Sequence, residues 1–389
     1  MAQIKTNIVK IYLYRLLSEF WLIVPVLIPF FYKNNLTMTH VFIVQSSYMA
    51  TMLILEIPSG YFSDRLGRRI TLILGALFLP LGLTLYAFST MMWQFICAEI
   101  LLAVAASMRS GTDSALLYDS LQYLKKETSY MAKEGRADLF ARIGSSSSSL
   151  AGGILGTMSL ILPFYINIIS GLLLVIISLT IKDVPTTHIK TDGNPFQGIA
   201  STIKFTAQHR GIRSVILYSS FIFSTGLISL WLYLKFYKES QLPLAVHGIL
   251  FAAFGLLSGF GAAQSHKINK RLRGMRTFGP PILIGIILIV VSLFTGIIPS
   301  IISVCHGFFW GYTGPLVFDY INKRISSEIR ATVLSINNMI GSLFFVITSP
   351  LIGLLSDRIS LKSAFIVTGL YVTLGILCSM ILLKRSRDA

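Results

Sequence analysis

The chain has 389 residues, of which 54% are hydrophobic and only 13% are charged, and it carries a formal net charge of +17. Soluble domains contain about 25% charged residues, so the composition excludes an ordinary soluble protein. The positive charge alone suggests a nucleic-acid partner, but the placement of the basic residues argues against that class and predicts a membrane protein.

Twelve apolar stretches recur along the chain, and each is long enough to cross a bilayer as a helix of about 20 residues. Their apolar runs are continuous rather than alternating, which favours helices over strands. The sequence therefore predicts an all-α membrane protein with transmembrane helices at 10–31, 41–63, 70–89, 93–120, 138–160, 162–181, 212–234, 244–265, 277–297, 299–320, 331–355 and 363–383. No small-residue cleavage site follows the first stretch, so we expect it to be retained.

Lysine and arginine are concentrated in alternate loops. If the N-terminus is cytoplasmic, the basic segments 121–143, 182–213 and 266–276 all face the cytoplasm. This is the positive-inside pattern, and it predicts a bacterial-type inner membrane protein with both termini cytoplasmic. The basic charge then reflects topology and contact with anionic membrane lipid, and we expect no nucleic-acid partner.

Ionisable residues inside the spans are concentrated in the first half of the chain, at Arg15, Glu19, Glu56, Arg109 and Asp113. Within each span the arginine and the acid are four residues apart, on one helix face. Spans 1 and 4 run in opposite directions, so Arg15 would lie at the depth of Asp113, and Glu19 at the depth of Arg109 one turn deeper. If the two spans are neighbours, these four residues could form a crossed ionic network. Together with Glu56 they give three carboxylates against two guanidiniums. A surplus carboxylate in a low-dielectric site is a candidate proton carrier. Static ion pairing is the alternative interpretation.

Two acids of the spans have interpretations that involve no proton transfer. Glu56 precedes Pro58 by two residues, so its side chain could instead bond a backbone group that the proline leaves free. Glu99 lies near the outer end of span 4, and we expect its side chain to extend toward the outer surface.

The loop after span 2 reads Gly60-Tyr-Phe-Ser-Asp64-Arg65-Leu-Gly67-Arg68-Arg69. It resembles the signature of the major facilitator superfamily, G-x-x-x-D-R/K-x-G-R/K-R/K. The resemblance implies two pseudo-symmetric six-helix bundles, transport of a small solute by alternating access, and a cytoplasmic latch formed by this loop.

The residue types of the loop also suit a latch on physical grounds, independently of the resemblance. Gly67 permits a sharp turn, and Asp64 can accept hydrogen bonds at a helix N-terminus. Arg65 and Arg69 can pair with an acid on a neighbouring helix, for which Asp119 is our candidate. The alternative is that these charges only fix the topology. In the second half Ser265 stands in place of the acid, so we expect the latch to be asymmetric.

The longest polar interval divides the twelve spans six and six. We therefore expect an N-terminal six-helix bundle at 1–181, a cytoplasmic linker at 182–211 and a C-terminal six-helix bundle at 212–389. The segment Glu134-Gly-Arg-Ala137 is echoed by Glu328-Ile-Arg-Ala331 in the second half. Duplicated halves are typical of secondary transporters, and chance similarity between apolar segments is the alternative.

The predicted solute cavity combines aromatic rings with a few hydroxyls and amides on spans 1, 7, 10 and 11, together with the span 4 arginine. Such a lining suits an amphiphilic or aromatic organic solute, and ordinary helix packing is the alternative. The family's use of helices 1, 4, 7 and 10 supports this choice, which comprises Tyr14, Ser18, Trp21, Arg109, Tyr218, Ser224, His306, Trp310, Tyr312, Asn337 and Asn338.

The leading hypothesis is a secondary transporter similar to the drug/proton antiporters, which exports a small organic solute in exchange for protons. Span 5 has Gly152-Gly153 but lacks the proline of the exporters' Gly-Pro-x-x-Gly-Gly pattern, which weakens the case for export. Import of a nutrient or metal-chelate, by symport or facilitated diffusion, is the alternative.

A membrane-embedded enzyme or sensor is a remote alternative. No Ser-His-Asp arrangement, metal-ligand cluster or phosphate-cradling loop is evident in the sequence. We therefore expect no catalytic residues, no cofactor and no metal site. We expect a monomer whose partners are its solute, protons and membrane lipid.

Overall fold

The computed structural model describes residues 2–185, 206–272 and 274–385, and a few side chains within these ranges, Asp64 and Glu328 among them, lie outside the description. The regular elements of the described residues are all helical, so the predicted fold class is confirmed. The α-helices are α1 (Ala2–Ser18), α2 (Leu27–Lys33), α3 (Met38–Leu66), α4 (Arg68–Phe88), α5 (Met92–Arg109), α6 (Thr112–Tyr123), α7 (Tyr130–Met158), α8 (Leu162–Thr180), α9 (Arg210–Glu239), α10 (Leu244–Leu272), α11 (Ile282–Leu293), α12 (Ile297–Asn322), α13 (Ser327–Arg358) and α14 (Leu361–Arg385).

Each of the twelve predicted spans corresponds to one helix or to two consecutive ones. Within the described part of the chain, ten segments are both long and apolar enough to cross a membrane. The other two predicted spans are α1 with α2, where the helix is interrupted, and the 29-residue α7, which carries serines and charged residues.

Span 1 is broken, whereas the sequence predicted a continuous helix. Helix α1 ends at Ser18, and a 3-10 turn at Val24–Val26 precedes α2. Pro25 lies at the break and has no N–H for a helical hydrogen bond. Neighbouring helices satisfy the exposed backbone, because Trp21 N–H donates to Ser148 Oγ at 3.0 Å and Asn167 Nδ2 donates to Phe20 O at 2.6 Å.

Span 4 is also broken, between α5 and α6. Gly111 has φ of +72°, a left-handed conformation that glycine adopts without steric cost. The predicted face shared by Arg109 and Asp113 therefore does not exist, since the two residues lie on different helices.

The described residues form two compact units. The first contains those of Met1–Leu36, Ser47–Lys190 and Pro243–Ala252, and the second those of Thr37–Ser46, Thr191–Leu242 and Ala253–Ala389. In the first unit α4 packs on α5 and α8, and α1 packs on α7 and α8. In the second unit α9 packs against α12, α13 and α14, and α11 packs against α14.

Small residues of α7 allow it to approach the break in span 1. A Cβ atom at Gly152 would overlap the carbonyl group of Leu22, whereas a Cβ at Gly135 would meet none of the described atoms within 4 Å. Small residues are the usual means of bringing membrane helices into backbone contact.

We expect the substitution Gly152→Ala to destabilise the first unit by about 1–3 kcal/mol, because the added methyl group must displace backbone. Gly135→Ala on the same helix is the matched control and should leave stability unchanged or slightly raised. Thermal unfolding of both detergent-purified variants checks this, and equal melting temperatures would contradict the close approach.

Candidate functional site

A small cavity in the first unit contains an ion pair. Arg109 Nη1 lies 2.6 Å from Glu19 Oε1 and donates to Ser18 Oγ at 2.5 Å. The cavity has a volume of 120 Å³, and its polar and aromatic lining consists of Tyr14, Ser18, Glu19, Trp21, Tyr48 and Arg109. The cavity residues predicted for spans 1 and 4 thus come together here. Glu19 lies in the turn directly after α1, where its N–H still donates to Arg15 O at 3.2 Å.

A second ionic cluster surrounds Arg15. Its Nε lies 2.8 Å from Asp113 Oδ2, and its Nη2 lies 2.8 Å from Glu134 Oε1. Ser114 Oγ accepts from Arg15 Nη2 at 2.6 Å and donates to Glu134 Oε1 at 2.9 Å. One guanidinium therefore contacts two carboxylates, which leaves the cluster with one surplus negative charge.

The structure separates the predicted charge network into two pieces. Arg109 pairs with Glu19, and Arg15 pairs with Asp113. Sequence reasoning missed Glu134 as a member, although its place in the repeated Glu-x-Arg-Ala segment was a signal. The break at Gly111 explains the separation, because it turns Asp113 onto a helix of its own.

The remaining acids of the first unit occupy different environments. Glu56 is half-buried and forms no ion pair among the described side chains, while its backbone carbonyl accepts from Ser59 Oγ at 3.2 Å. The expectation for Glu99 was wrong: it is only 5% exposed, and it accepts from the hydroxyl of Tyr86 at 3.2 Å. No described group of three His, Cys, Asp or Glu residues could hold a metal ion.

The loop after α3 forms an ionic contact with α6. Arg68 Nη1 lies 2.7 Å from Asp119 Oδ2, so the acid is paired with Arg68 and not with Arg65 or Arg69 as expected. Arg69 instead reaches Asp183 at 3.2 Å, and the Arg65 guanidinium lies over the ring of Tyr61 at 5.2 Å.

The geometry of the turn explains this pairing. Gly67 has φ of +90° and is the N-cap of α4, so Arg68 is the first helical residue. The prediction for Asp64 concerns a side chain outside the description.

The second unit holds a larger cavity of 250 Å³ with no charged residue in its lining. Trp310 of α12 and Phe223 of α9 supply aromatic surface, while Asn337 and Asn338 of α13 supply amides. Ser219 Oγ donates to Asn337 Oδ1. The lining thus offers flat apolar surface next to uncharged hydrogen-bonding groups. Ser219, Phe223 and Ser258 belong to it and were missed by sequence reasoning.

Four residues predicted for the cavity do not belong to its lining. Tyr218 and Tyr312 are buried, and their hydroxyls donate to the carbonyls of Phe278 at 3.0 Å and Thr277 at 2.8 Å. His306 is fully buried, with Nδ1 3.1 Å from the Tyr233 hydroxyl.

The fourth, Ser224, lies 3.1 Å from the Tyr371 hydroxyl. These four polar groups bond partners within the second unit, as buried polar groups generally do. Periodicity alone does not separate them from the lining residues.

The chain matches known proteins over most of its length. The Major Facilitator Superfamily profile matches residues 17–348. The tetracycline resistance protein, class H, of Pasteurella multocida is 24% identical over 340 residues, which cover 82% of this chain and 81% of the relative. The uncharacterized MFS-type transporter YxaM of Bacillus subtilis is 21% identical, covering 85% of this chain and 84% of that protein.

Solved structures show the same fold at low identity. The nucleoside transporter NupG superposes with a TM-score of 0.82 at 13% identity, covering 99% of this chain and 100% of that one. A bacterial homolog of the human lysosomal transporter Spinster has a TM-score of 0.75 at 13% identity, covering 99% and 96%. Together with the apolar helices and the family match, these results identify the chain as an integral membrane transport protein that belongs to the major facilitator superfamily.

Proposed function

We propose that the chain is a proton-coupled transporter that moves a small organic solute across the bacterial inner membrane by alternating access, with export as its direction. The observation that carries the proposal is the position of Arg15 between the carboxylates of Asp113 and Glu134. A surplus carboxylate in a partly buried ionic cluster is costly while it is charged, so the cluster gains stability by binding a proton.

Glu134 is the proton carrier in this proposal. Its Oε1 accepts from Arg15 and Ser114, while its Oε2 is buried with no hydrogen-bond partner among the described residues. A proton on Oε2 would neutralise the surplus charge. Arg15 and Ser114 contact Glu134, Asp113 shares the guanidinium of Arg15, and Tyr130 and Tyr12 are close enough to Glu134 to interact electrostatically.

The uncharged cavity of the second unit supports an organic solute. Trp310 and Phe223 offer aromatic faces, and Asn337 and Asn338 offer both donors and acceptors. An aromatic ring with hydrogen-bonding substituents can stack on such a surface and pair with the amides. The Arg109–Glu19 pair borders the separate cavity of the first unit and offers charged hydrogen-bonding groups there.

The direction rests on the relatives. A tetracycline resistance protein matches four fifths of this chain, which supports export. A nucleoside transporter shares the fold, so import remains the alternative, and the same flux experiment separates the two directions.

Reconstituted protein should couple solute movement to a pH gradient. With tetracycline and uridine as probes in proteoliposomes, we expect an imposed gradient to drive accumulation of at least one of them opposite to the proton flow. The internal dye pyranine should report the matching proton movement. Accumulation in the same direction as the protons would indicate import, and flux indifferent to the gradient would contradict proton coupling.

The substitution Glu134→Gln should uncouple the transporter. Gradient-driven accumulation should fall by roughly tenfold or more, about 1.4 kcal/mol, because glutamine keeps the shape of the side chain but cannot release a proton. Solute exchange without a gradient should continue, since solute contacts are untouched. The control is Asp138→Asn on the same helix, whose exposed partner is Arg142; equal losses in both variants would contradict the assignment.

The Arg68–Asp119 pair is the ionic part of the proposed latch. We expect Asp119→Asn to lower the transport rate several-fold. Probe affinity should stay unchanged, because Arg68 and Asp119 line neither of the two cavities. Asp183→Asn, which breaks the exposed pair with Arg69, should have little effect. Rates and affinities measured by radiolabelled uptake check this, and a change in affinity alone would contradict a latch.

A further inference from the structure

The latch segment has a second copy at the end of α13. The first copy reads Gly60-Tyr-Phe-Ser-Asp-Arg65 and ends α3, and the second reads Gly353-Leu-Leu-Ser-Asp-Arg358 and ends α13. Glycine, serine, aspartate and arginine occupy the same four positions of each. The same residues at the same point of a helix suggest the same physical task.

The aspartate of the second copy caps the beginning of α3. Asp357 Oδ1 accepts from the N–H of Met38 at 3.1 Å, and Oδ2 accepts from the N–H of Thr39 and from its Oγ1, both at 2.7 Å. A carboxylate satisfies the free N–H groups of a helix start and is favoured by the helix dipole there. All these residues belong to the second unit.

The serine of the second copy, Ser356, binds a buried lysine beside the cap. Lys235 of α9 is only 7% exposed, donates to Ser356 Oγ at 2.9 Å and lies 3.7 Å from Asp357 Oδ1. The lysine offsets the charge of the aspartate and connects the cap to a third helix. Removing the Asp357 carboxylate would leave the buried Lys235 ammonium without this partner, which is destabilising.

The glycines of the two copies have different surroundings. A Cβ at Gly353 would lie 2.8 Å from Thr39 Cα and 3.0 Å from Met38 O, so only glycine lets α3 approach this closely. A Cβ at Gly60 would meet no described atom within 4 Å. The second copy is therefore in tight contact with a helix start, while the glycine of the first copy has open space beside it.

We propose that Gly353–Arg358 is a second latch, which holds the beginning of α3 and is released and re-formed once in each transport cycle. The 29 residues of α3 span about 43 Å, which exceeds the roughly 30 Å of hydrocarbon. One helix thus carries the first latch at its end and is held by the second at its beginning, on opposite sides of the membrane. The inference rests on the proposed transport cycle.

Hydrogen–deuterium exchange of the full chain in detergent tests the second latch. In Asp357→Asn, amide exchange over 37–46 should accelerate about three- to thirtyfold, the factor expected when a helix loses its N-cap. Exchange over 60–69 should slow, because the molecule then spends more time with the first latch engaged. Glu239→Gln is the control, since this acid lies 3.8 Å from Lys235 and makes the same charge change beside the cap.

A second pair of variants tests the latch without changing any charge. Gly353→Ala should reproduce the exchange pattern of Asp357→Asn, whereas Gly60→Ala should not accelerate exchange over 37–46. Monodisperse elution and an unfolding transition show that each variant is folded.

Acceleration confined to 37–46, or shared by 37–46 and 60–69, would identify a static cap and overturn the proposal. Unchanged exchange would show that Asp357 does not hold the beginning of α3, and would overturn it as well. The measurement needs no solute, so its outcome is independent of whether tetracycline or uridine is transported.

Discussion

The whole molecule is governed by the requirement that polar groups at membrane depth find partners inside the protein. At the break after α1, side chains of α7 and α8 take up the backbone groups of Phe20 and Trp21. Ion pairs meet the same requirement for Arg15 and Arg109. At these positions a neighbouring helix supplies the complementary group for the irregular backbone or the buried charge.

The two units meet this requirement with different side chains. In the first unit the cavity and the nearby cluster are ionic, built on Arg109 with Glu19 and on Arg15 with two acids. In the second unit the cavity is lined by rings, hydroxyls and amides without charge. Of the two proposed tasks, proton binding needs a group whose charge can change, whereas binding a neutral ring needs a surface whose charge does not, so the two tasks are chemically separable.

The sequence predicted the fold well because twelve long apolar runs leave helices as the main possibility. It placed Arg15 near Asp113 and Arg109 near Glu19 because depth follows from residue count. It did not find Glu134, since that residue comes from a loop-proximal turn of α7 whose approach depends on tertiary packing. It also assigned Tyr218 and His306 to a cavity, because periodicity identifies a helix face and does not tell which neighbour already bonds its polar groups.

The left-handed residue at Gly111 has a mechanical consequence. It lies between Arg109 and Asp113, so the ion pair at the first cavity and the proposed proton-binding cluster belong to two separate helices that are joined at this residue. A rotation at this residue changes the distance between Asp113 and Arg15 without breaking any helical hydrogen bond of α5. Under the proposed function, a movement of α5 can therefore change the proton affinity of the cluster on α6, which a continuous helix would transmit only as rigid displacement.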